Sequence, residues 1–144
     1  MNLSKINFYS ENEFELEDEA RYAEWIENVI FSEGKTLEEI SYIFCDDEYL
    51  LKINIEYLDH DTYTDIISFD YSVGKILQGE IYISTERVRD NSETFNVKFE
   101  EELRRVLSHG VLHLSGYKDK TEEEAALMRS KEEEKMKLFH VEQS

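Results

Sequence analysis

HGVLHLSGYKD, residues 109–119, is the most informative part of this sequence. Residues four apart on a helix share one face, so His109 and His113 can direct two imidazoles to one point. Gly116 permits the backbone reversal that ends a helix, after which the carboxylate of Asp119 can return to that point. Two imidazoles and a carboxylate suit a divalent metal, and three protein ligands leave one position open for water. The spacing therefore predicts a catalytic metal site at His109, His113 and Asp119.

The motif differs at one position from HExxH, the pattern of zinc peptidases. In that pattern the glutamate after the first histidine is the general base, whereas this chain has Gly110. Glycine cannot move a proton, so hydrolysis would rely on water activated by the metal, which lowers the pKa of the water. A zinc metallopeptidase is therefore the less favoured function.

Three parts of the sequence resemble the YbeY family of bacterial metal-dependent endoribonucleases. They are residues 109–119, the strand-like blocks TDIISF (64–69) and GEIYIS (79–84), and the acidic helix around Glu124, Met128 and Glu132. Family members act in ribosomal RNA maturation and ribosome quality control. The resemblance implies a hydrolase that cleaves single-stranded RNA. Its implied partners are ribosomal RNA or its precursor, together with ribosomal proteins or assembly GTPases.

The chain departs from the family pattern at two positions. The third ligand of the family is usually histidine, and Asp119 stands in its place. A carboxylate is a competent zinc ligand, and oxygen ligation also tolerates a harder metal such as manganese. The second departure is Leu58, which replaces an arginine that the family links to RNA processing. The resemblance thus implies one Zn²⁺, or another divalent ion, per chain; a noncatalytic ribosome-assembly factor with a structural metal is the alternative.

Composition fits one metal-dependent hydrolase domain over residues 1–144. A chain of 144 residues is long enough to bury one core. It has no apolar run long enough to span a bilayer and no signal-peptide pattern at its start. The single cysteine, Cys45, cannot form an internal disulfide. We therefore expect a cytoplasmic protein without membrane partners.

The net charge of −18 is unfavourable for binding RNA, but it is unevenly distributed. Residues 1–86 contain 5 basic and 21 acidic side chains, a balance of −16, which leaves −2 for residues 87–144. We expect RNA to approach the second half, where four cations lie near the motif and could meet phosphates. A solvated surface charge is the simpler interpretation of each one taken singly. The four are Arg104, Arg105, Lys118 and Lys120.

Hydrophobic periodicity predicts an α+β fold, a small mixed β-sheet packed with helices. Strands are expected over 6–9, 39–45, 64–71 and 80–84. Helices are expected over 17–31, from 46 or 47 through 55, and from 85 to about 90. The helix of the metal motif should begin at Val97 or Lys98, with both histidines half-buried on the flank of its apolar stripe. A capping box at Thr121 and Glu124 should begin the last helix, which is expected to run to residue 137 or 138.

Two acids, Asp65 and Glu80, are considered for proton transfer. Each lies in a block shared with the family and can project from a strand. Geometry decides such a role before pKa does, and the sequence contains no geometry, so the catalytic residues stay unassigned. The two further histidines, His60 in a polar loop and His140 near the end of the sequence, are not expected to bind the metal.

Overall fold

The computed structural model describes residues 5–59 and 63–141, so the expectation for His60 lies outside it. Helices and strands alternate as far as the third strand, after which a fourth strand and three helices follow. In chain order they are β1 (Ile6–Ser10), α1 (Glu19–Ser32), β2 (Thr36–Cys45), α2 (Asp47–Leu58), β3 (Ile66–Asp70), β4 (Ile76–Ser84), α3 (Thr85–Thr94), α4 (Phe99–Leu114) and α5 (Glu122–Val141).

The four strands form one mixed sheet in the order β1-β2-β4-β3. β1 and β4 both run parallel to β2, whereas β3 runs antiparallel to β4. The predicted fold class is therefore confirmed. Because β3 is at one edge of the sheet, only one of its sides is paired with another strand.

Helices cover the two faces of the sheet unequally. α1, α4 and α5 pack together on one face, over a core that includes Trp25, Phe44 and Ile81. α2 covers part of the other face, where Leu50 and Ile67 are buried. Side chains alternate between faces along a strand, so neighbouring residues of β4 serve different layers. None of the helices in the described residues is long and apolar enough to cross a membrane.

α4 is the helix that the metal motif predicts. It begins one residue after the N-cap Lys98, and its apolar stripe is buried as expected, with Leu107 and Val111 fully excluded from solvent. Each such side chain contributes about 1.5–3 kcal/mol by its burial. The helix ends in a Schellman motif in which Gly116 N–H donates to His113 O at 3.1 Å and Tyr117 N–H to Leu112 O at 3.1 Å.

Most element boundaries differ from the sequence expectation; for example, α2 continues to Leu58 and α3 to Thr94, whereas β3 covers only Ile66–Asp70. β2 and β4 begin earlier than predicted because they pair with each other from Thr36 and Ile76 onward, including polar residues that interrupt the apolar alternation. α5 continues past residue 138 to Val141 because Phe139 is buried against Trp25, with ring centroids 5.4 Å apart. In both cases tertiary pairing extends an element beyond its local sequence pattern.

Candidate active site

A cleft of about 760 Å³ lies between the β3 edge of the sheet, the second half of α4 and the first half of α5. All three residues predicted as metal ligands line it, and so does Leu58 at the end of α2. The residues that matter for its chemistry are Asp65, Ser68, His109, His113, Asp119 and Glu132.

His109 and Asp119 meet in this cleft. The Nε2 atom of His109 lies 3.2 Å from Oδ2 of Asp119, so the chain does return after Gly116 as the spacing predicts. His109 is half-buried, but His113 is exposed, and the centroids of the two imidazole rings are 6.1 Å apart. Among the residues that the structure describes, no three His, Cys, Asp or Glu side chains gather closely enough to hold a metal ion. The structure thus joins two of the predicted ligands and leaves His113 beside them.

Glu132 holds the other nitrogen of His109. Its Oε2 lies 2.6 Å from Nδ1 of His109, and its Oε1 accepts a hydrogen bond from Arg105 at 3.1 Å. The Glu132 side chain is only 7% exposed. A carboxylate on Nδ1 keeps a proton on that nitrogen, so Nε2, which faces Asp119, is the nitrogen available to a metal.

The acids around His109 also change its proton affinity. Burial by itself would lower the pKa of the imidazole, but the hydrogen bond and charge of Glu132, with Asp119 and Asp65, outweigh it and raise the pKa overall. The acids around His109 thus favour positive charge at this point of the cleft. A divalent cation bound at Nε2 would supply positive charge beside Asp119 in place of a proton.

Sequence reasoning did not identify Glu132 as the partner of His109. The signal lies in the buried register of α5, where Met128, Glu132, Lys135 and Phe139 are all excluded from solvent. Two charged residues within a buried helical stripe require partners, because an unpaired buried charge is very costly. The partner of Lys135 is Glu33 at 2.8 Å, and that of Glu132 is the pair of Arg105 and His109.

Gly110 lies where the sheet and α4 touch. A Cβ atom there would be 3.0 Å from Cδ1 and Cγ2 of Ile81 and 3.1 Å from Cδ1 of Ile66. A glutamate side chain cannot be accommodated without separating α4 from the sheet. The absence of the peptidase base is thus a packing requirement of this fold, which further disfavours the zinc-peptidase reading.

The two acids considered for proton transfer lie in different places. Asp65 lines the cleft immediately before β3, where burial raises the pKa of its carboxyl despite the nearby His109. Glu80 lies next to Ile81 on β4 and so faces the opposite side of the sheet from α4. Only Asp65 shares the cleft with His109.

Cations near the motif do not lie where the sequence suggests. Arg104 does not line the cleft, because it lies on the side of α4 that faces Tyr22 of α1, with its guanidinium 4.7 Å from the ring centroid of Phe139. Arg105 lines the cleft but is paired with Glu132, and the exposed Lys118 and Lys120 are not part of its wall. The exposed Arg129, on the first half of α5, is a cation of the cleft that sequence reasoning missed.

The donor atoms fit a divalent metal. Two imidazoles and a carboxylate lie on neighbouring turns, and the buried carboxylate of Glu132 orients the imidazole of His109, as acids hydrogen-bonded to metal-binding histidines do. His113 is exposed, so its ring can rotate between staggered rotamers without disturbing the core.

Comparisons with known proteins identify the same family over nearly the whole chain. The family model described as Endoribonuclease YbeY matches residues 6–140. A protein of Christiangramia forsetii named Endoribonuclease YbeY is 64% identical over 143 residues, covering 99% of this chain and 100% of its own. Its namesake from Flavobacterium johnsoniae is 62% identical, covering 96% and 99%. The solution structure of TM1509 from Thermotoga maritima superposes with a TM-score of 0.67 at 25% identity, covering 95% of this chain and 90% of that one. This chain therefore belongs to the YbeY endoribonuclease family.

Proposed function

We propose that this protein is a metal-dependent endoribonuclease that hydrolyses phosphodiesters of single-stranded ribosomal RNA or its precursor. The observation that carries the proposal is the half-buried His109, held between Asp119 and Glu132 in a cleft that a free strand edge borders. The family supplies the reaction class, and the site supplies residues suited to it. We propose further that residues 1–144 act as one catalytic domain.

The proposed metal ligands are His109, His113 and Asp119, with Zn²⁺ as the favoured ion and another divalent metal as the alternative. Two nitrogen donors and one oxygen donor are a ligand set typical of catalytic zinc. A bound divalent ion would supply Lewis-acid charge to the scissile phosphate. Binding requires His113 to turn toward His109, which its exposure permits.

Three other residues have proposed roles in orienting the ligand, accepting a proton and binding phosphate. Glu132 holds the His109 ring in one orientation and one tautomer. Asp65 is the acid placed to accept a proton in the cleft, because it shares the cleft with His109 and its raised pKa lies closer to neutrality than that of a free aspartate. Arg129 can neutralise a phosphate at the α5 side of the cleft.

The alternative is a noncatalytic ribosome-assembly factor whose metal is structural. Leu58 favours it, because this position on the cleft wall carries no charge that could stabilise a phosphate. The acidic first half of the chain, with its balance of −16, would in either case suit basic partners such as ribosomal proteins. Assembly GTPases are a second class of partner that the family role suggests.

The decisive experiment measures metal content and RNA cleavage on the same purified sample. We expect about one divalent ion per chain, as the three-ligand shell requires, and cleavage of single-stranded RNA that a chelator abolishes. His109→Ala should lose both the ion and the cleavage. If the wild-type protein neither holds nor rebinds a metal, the metal site is wrong. If it holds one and cleaves no RNA, the assembly-factor function replaces the enzyme.

A further inference from the structure

The hydrogen-bond register of β3 decides which of its backbone groups point into the cleft. Asp65 O accepts from Ser84 N–H at 3.0 Å, and Tyr71 N–H donates to Gln78 O at 2.8 Å. In an antiparallel pair such residues alternate with residues whose N–H and C=O point away from the partner strand. Residues 65, 67, 69 and 71 therefore face β4 through their backbone groups.

The residues between them, Ile66, Ser68 and Asp70, turn their N–H and C=O groups outward, and we consider the two neutral ones, Ile66 and Ser68. β3 is at the edge of the sheet, so no other strand of the described residues receives these groups. Both residues line the same cleft as His109 and Asp119. Within the described chain, the carbonyl of Ile66 is approached by the hydroxyl of Thr64 at 3.4 Å. The N–H of Ile66 and both backbone groups of Ser68 thus form an unpaired edge along the cleft wall.

We propose that this edge binds the sugar–phosphate backbone of the RNA strand. The N–H groups of Ile66 and Ser68 donate to phosphate oxygens, and the carbonyl of Ser68 accepts a hydrogen bond from a ribose 2′-hydroxyl. This inference rests on the proposed function. It adds how the RNA strand is bound and why RNA is preferred to DNA. Alternating donors and acceptors along one line match a backbone that carries both acceptors and a 2′-OH donor.

The charge of the cleft favours neutral hydrogen-bond donors for binding phosphate. Five acids line it, namely Asp65, Asp70, Glu102, Asp119 and Glu132. Of the cations, Arg105 already forms ion pairs with Glu132 and Glu102. Arg129 remains as a cation at the α5 side of the cleft, and on the β3 side backbone N–H groups can bind phosphate without adding to the charge balance.

The same geometry determines the selectivity of binding. A strand edge pairs only with an extended chain, so the inference accounts for single-stranded substrates. Phosphates and 2′-hydroxyls occur in every ribonucleotide, so the contact carries no base preference. The acceptor carbonyl should distinguish RNA from DNA, because deoxyribose has no hydroxyl to donate to it.

Proline substitution tests the donor directly. Ser68→Pro removes one outward N–H without removing a ladder hydrogen bond, since proline is tolerated at an edge position whose N–H faces away from the sheet. Ser68→Ala keeps the N–H. We expect Ser68→Pro to bind a short single-stranded RNA about tenfold more weakly than Ser68→Ala, as the loss of one hydrogen bond to a charged acceptor predicts.

The other edge of the sheet offers a matched control. Ile40 N–H donates to Lys5 O at 2.8 Å and Glu11 N–H to Phe44 O at 2.7 Å, so Ser10, between Tyr9 and Glu11 on β1, turns its N–H outward. Ser10 does not line the cleft. Ser10→Pro should therefore leave RNA binding unchanged. Equal weakening by the two proline variants would overturn the proposal, as would equal binding by Ser68→Pro and Ser68→Ala.

A second measurement needs no substitution and covers the case in which Ser68→Pro does not fold. Amide hydrogen exchange is followed in the zinc-loaded wild-type protein, with intact RNA verified on a gel. We expect RNA to slow exchange at Ile66 and Ser68, and to bind about fivefold more tightly than DNA of the same sequence. Unchanged exchange at both amides would overturn the proposal, and equal affinity for RNA and DNA would overturn its carbonyl contact. Protection of these amides by an extended peptide, but not by RNA, would assign the edge to a protein partner instead.

These outcomes separate the inference from the proposed function. If the wild-type protein cleaves RNA and Ser68→Pro binds it as tightly as Ser68→Ala, the edge contact is wrong and the function stands. If the wild-type protein neither binds nor cleaves RNA, the proposed function itself fails.

Discussion

Replacing Glu132 by glutamine tests whether this carboxylate orients His109 for metal binding, with almost no change in the shape of the side chain. The carboxylate lies 2.6 Å from His109 Nδ1 and 3.1 Å from Arg105, and it is 7% exposed. Glu132→Gln removes the charge from both contacts and allows the amide to satisfy only one of them well. Loss of a carboxylate that orients a metal-bound histidine typically weakens metal binding about 10–100-fold, and we expect that range here.

The same substitution should destabilise the protein before any metal is added. Removing one partner of a buried charge pair costs about 3–5 kcal/mol. The amide keeps one hydrogen bond, so we expect a loss of about 3 kcal/mol, or roughly 10 °C in the midpoint of thermal unfolding. Zinc affinity is measured by competition with a chromogenic chelator, and stability by unfolding of the metal-free protein.

Glu133→Gln is the matched control, because it removes the same charge from the next residue. Glu133 is 58% exposed and lies 4.0 Å from Arg105, so it should change zinc affinity by less than twofold. If Glu132→Gln binds zinc as tightly as the wild-type protein, Glu132 does not orient His109 for metal binding, and this reasoning is refuted.

Three further substitutions give distinct expectations. Asp119→Ala should abolish RNA cleavage with little loss of stability if the metal is catalytic, whereas a marked fall in the unfolding temperature of the zinc-loaded protein, with no cleavage in the wild type, would identify a structural metal. Gly79→Ala should destabilise the protein by about 1–3 kcal/mol in denaturant unfolding, because its Cβ would lie 2.5 Å from the Phe69 carbonyl oxygen and β3 cannot yield easily; wild-type stability would contradict this. Burial raises the pKa of Glu33, but hydrogen bonds from Lys135 and Tyr117 outweigh it and lower the pKa below 4.5. The ionised Glu33 therefore stabilises the folded protein above pH 4.5, and this stabilisation is lost as the pH falls through the lowered pKa. Glu33→Gln should therefore be less stable than the wild type at neutral pH, by about 3 kcal/mol, and the difference should shrink in unfolding curves well below pH 4.5.

Features encoded by neighbouring residues were predictable from the sequence. The Schellman end at Gly116 and the capping box, in which Glu124 N–H donates to Thr121 Oγ1 at 3.1 Å, both depend on residues a few positions apart. The apolar stripe of α4 follows from its period alone. For this reason the fold class and the return of Asp119 toward His109 could be anticipated.

Features that depend on distant parts of the chain could not be read locally. The contact between His109 and Glu132 joins residues 23 positions apart on different helices. Arg104 and Arg105 are neighbours in sequence, but a helix turns them about 100° apart, so one faces Phe139 and the other the cleft. Sheet order is also long-range, and it alone makes β3 an edge strand beside the site.

α5 is the last helix of the described chain to be translated. The ribosome that translates it contains RNA of the kind that the protein is proposed to cleave. α5 is translated after α4, so the His109 imidazole is synthesised before the Glu132 carboxylate that orients it. Chains fold broadly in the order of their synthesis, and a nascent chain ending at Asp119 has the proposed ligands but lacks the helix that aligns them. Under the proposed function, cleaving activity is withheld until the last helix has emerged and docked, which spares the ribosome that is still translating the enzyme.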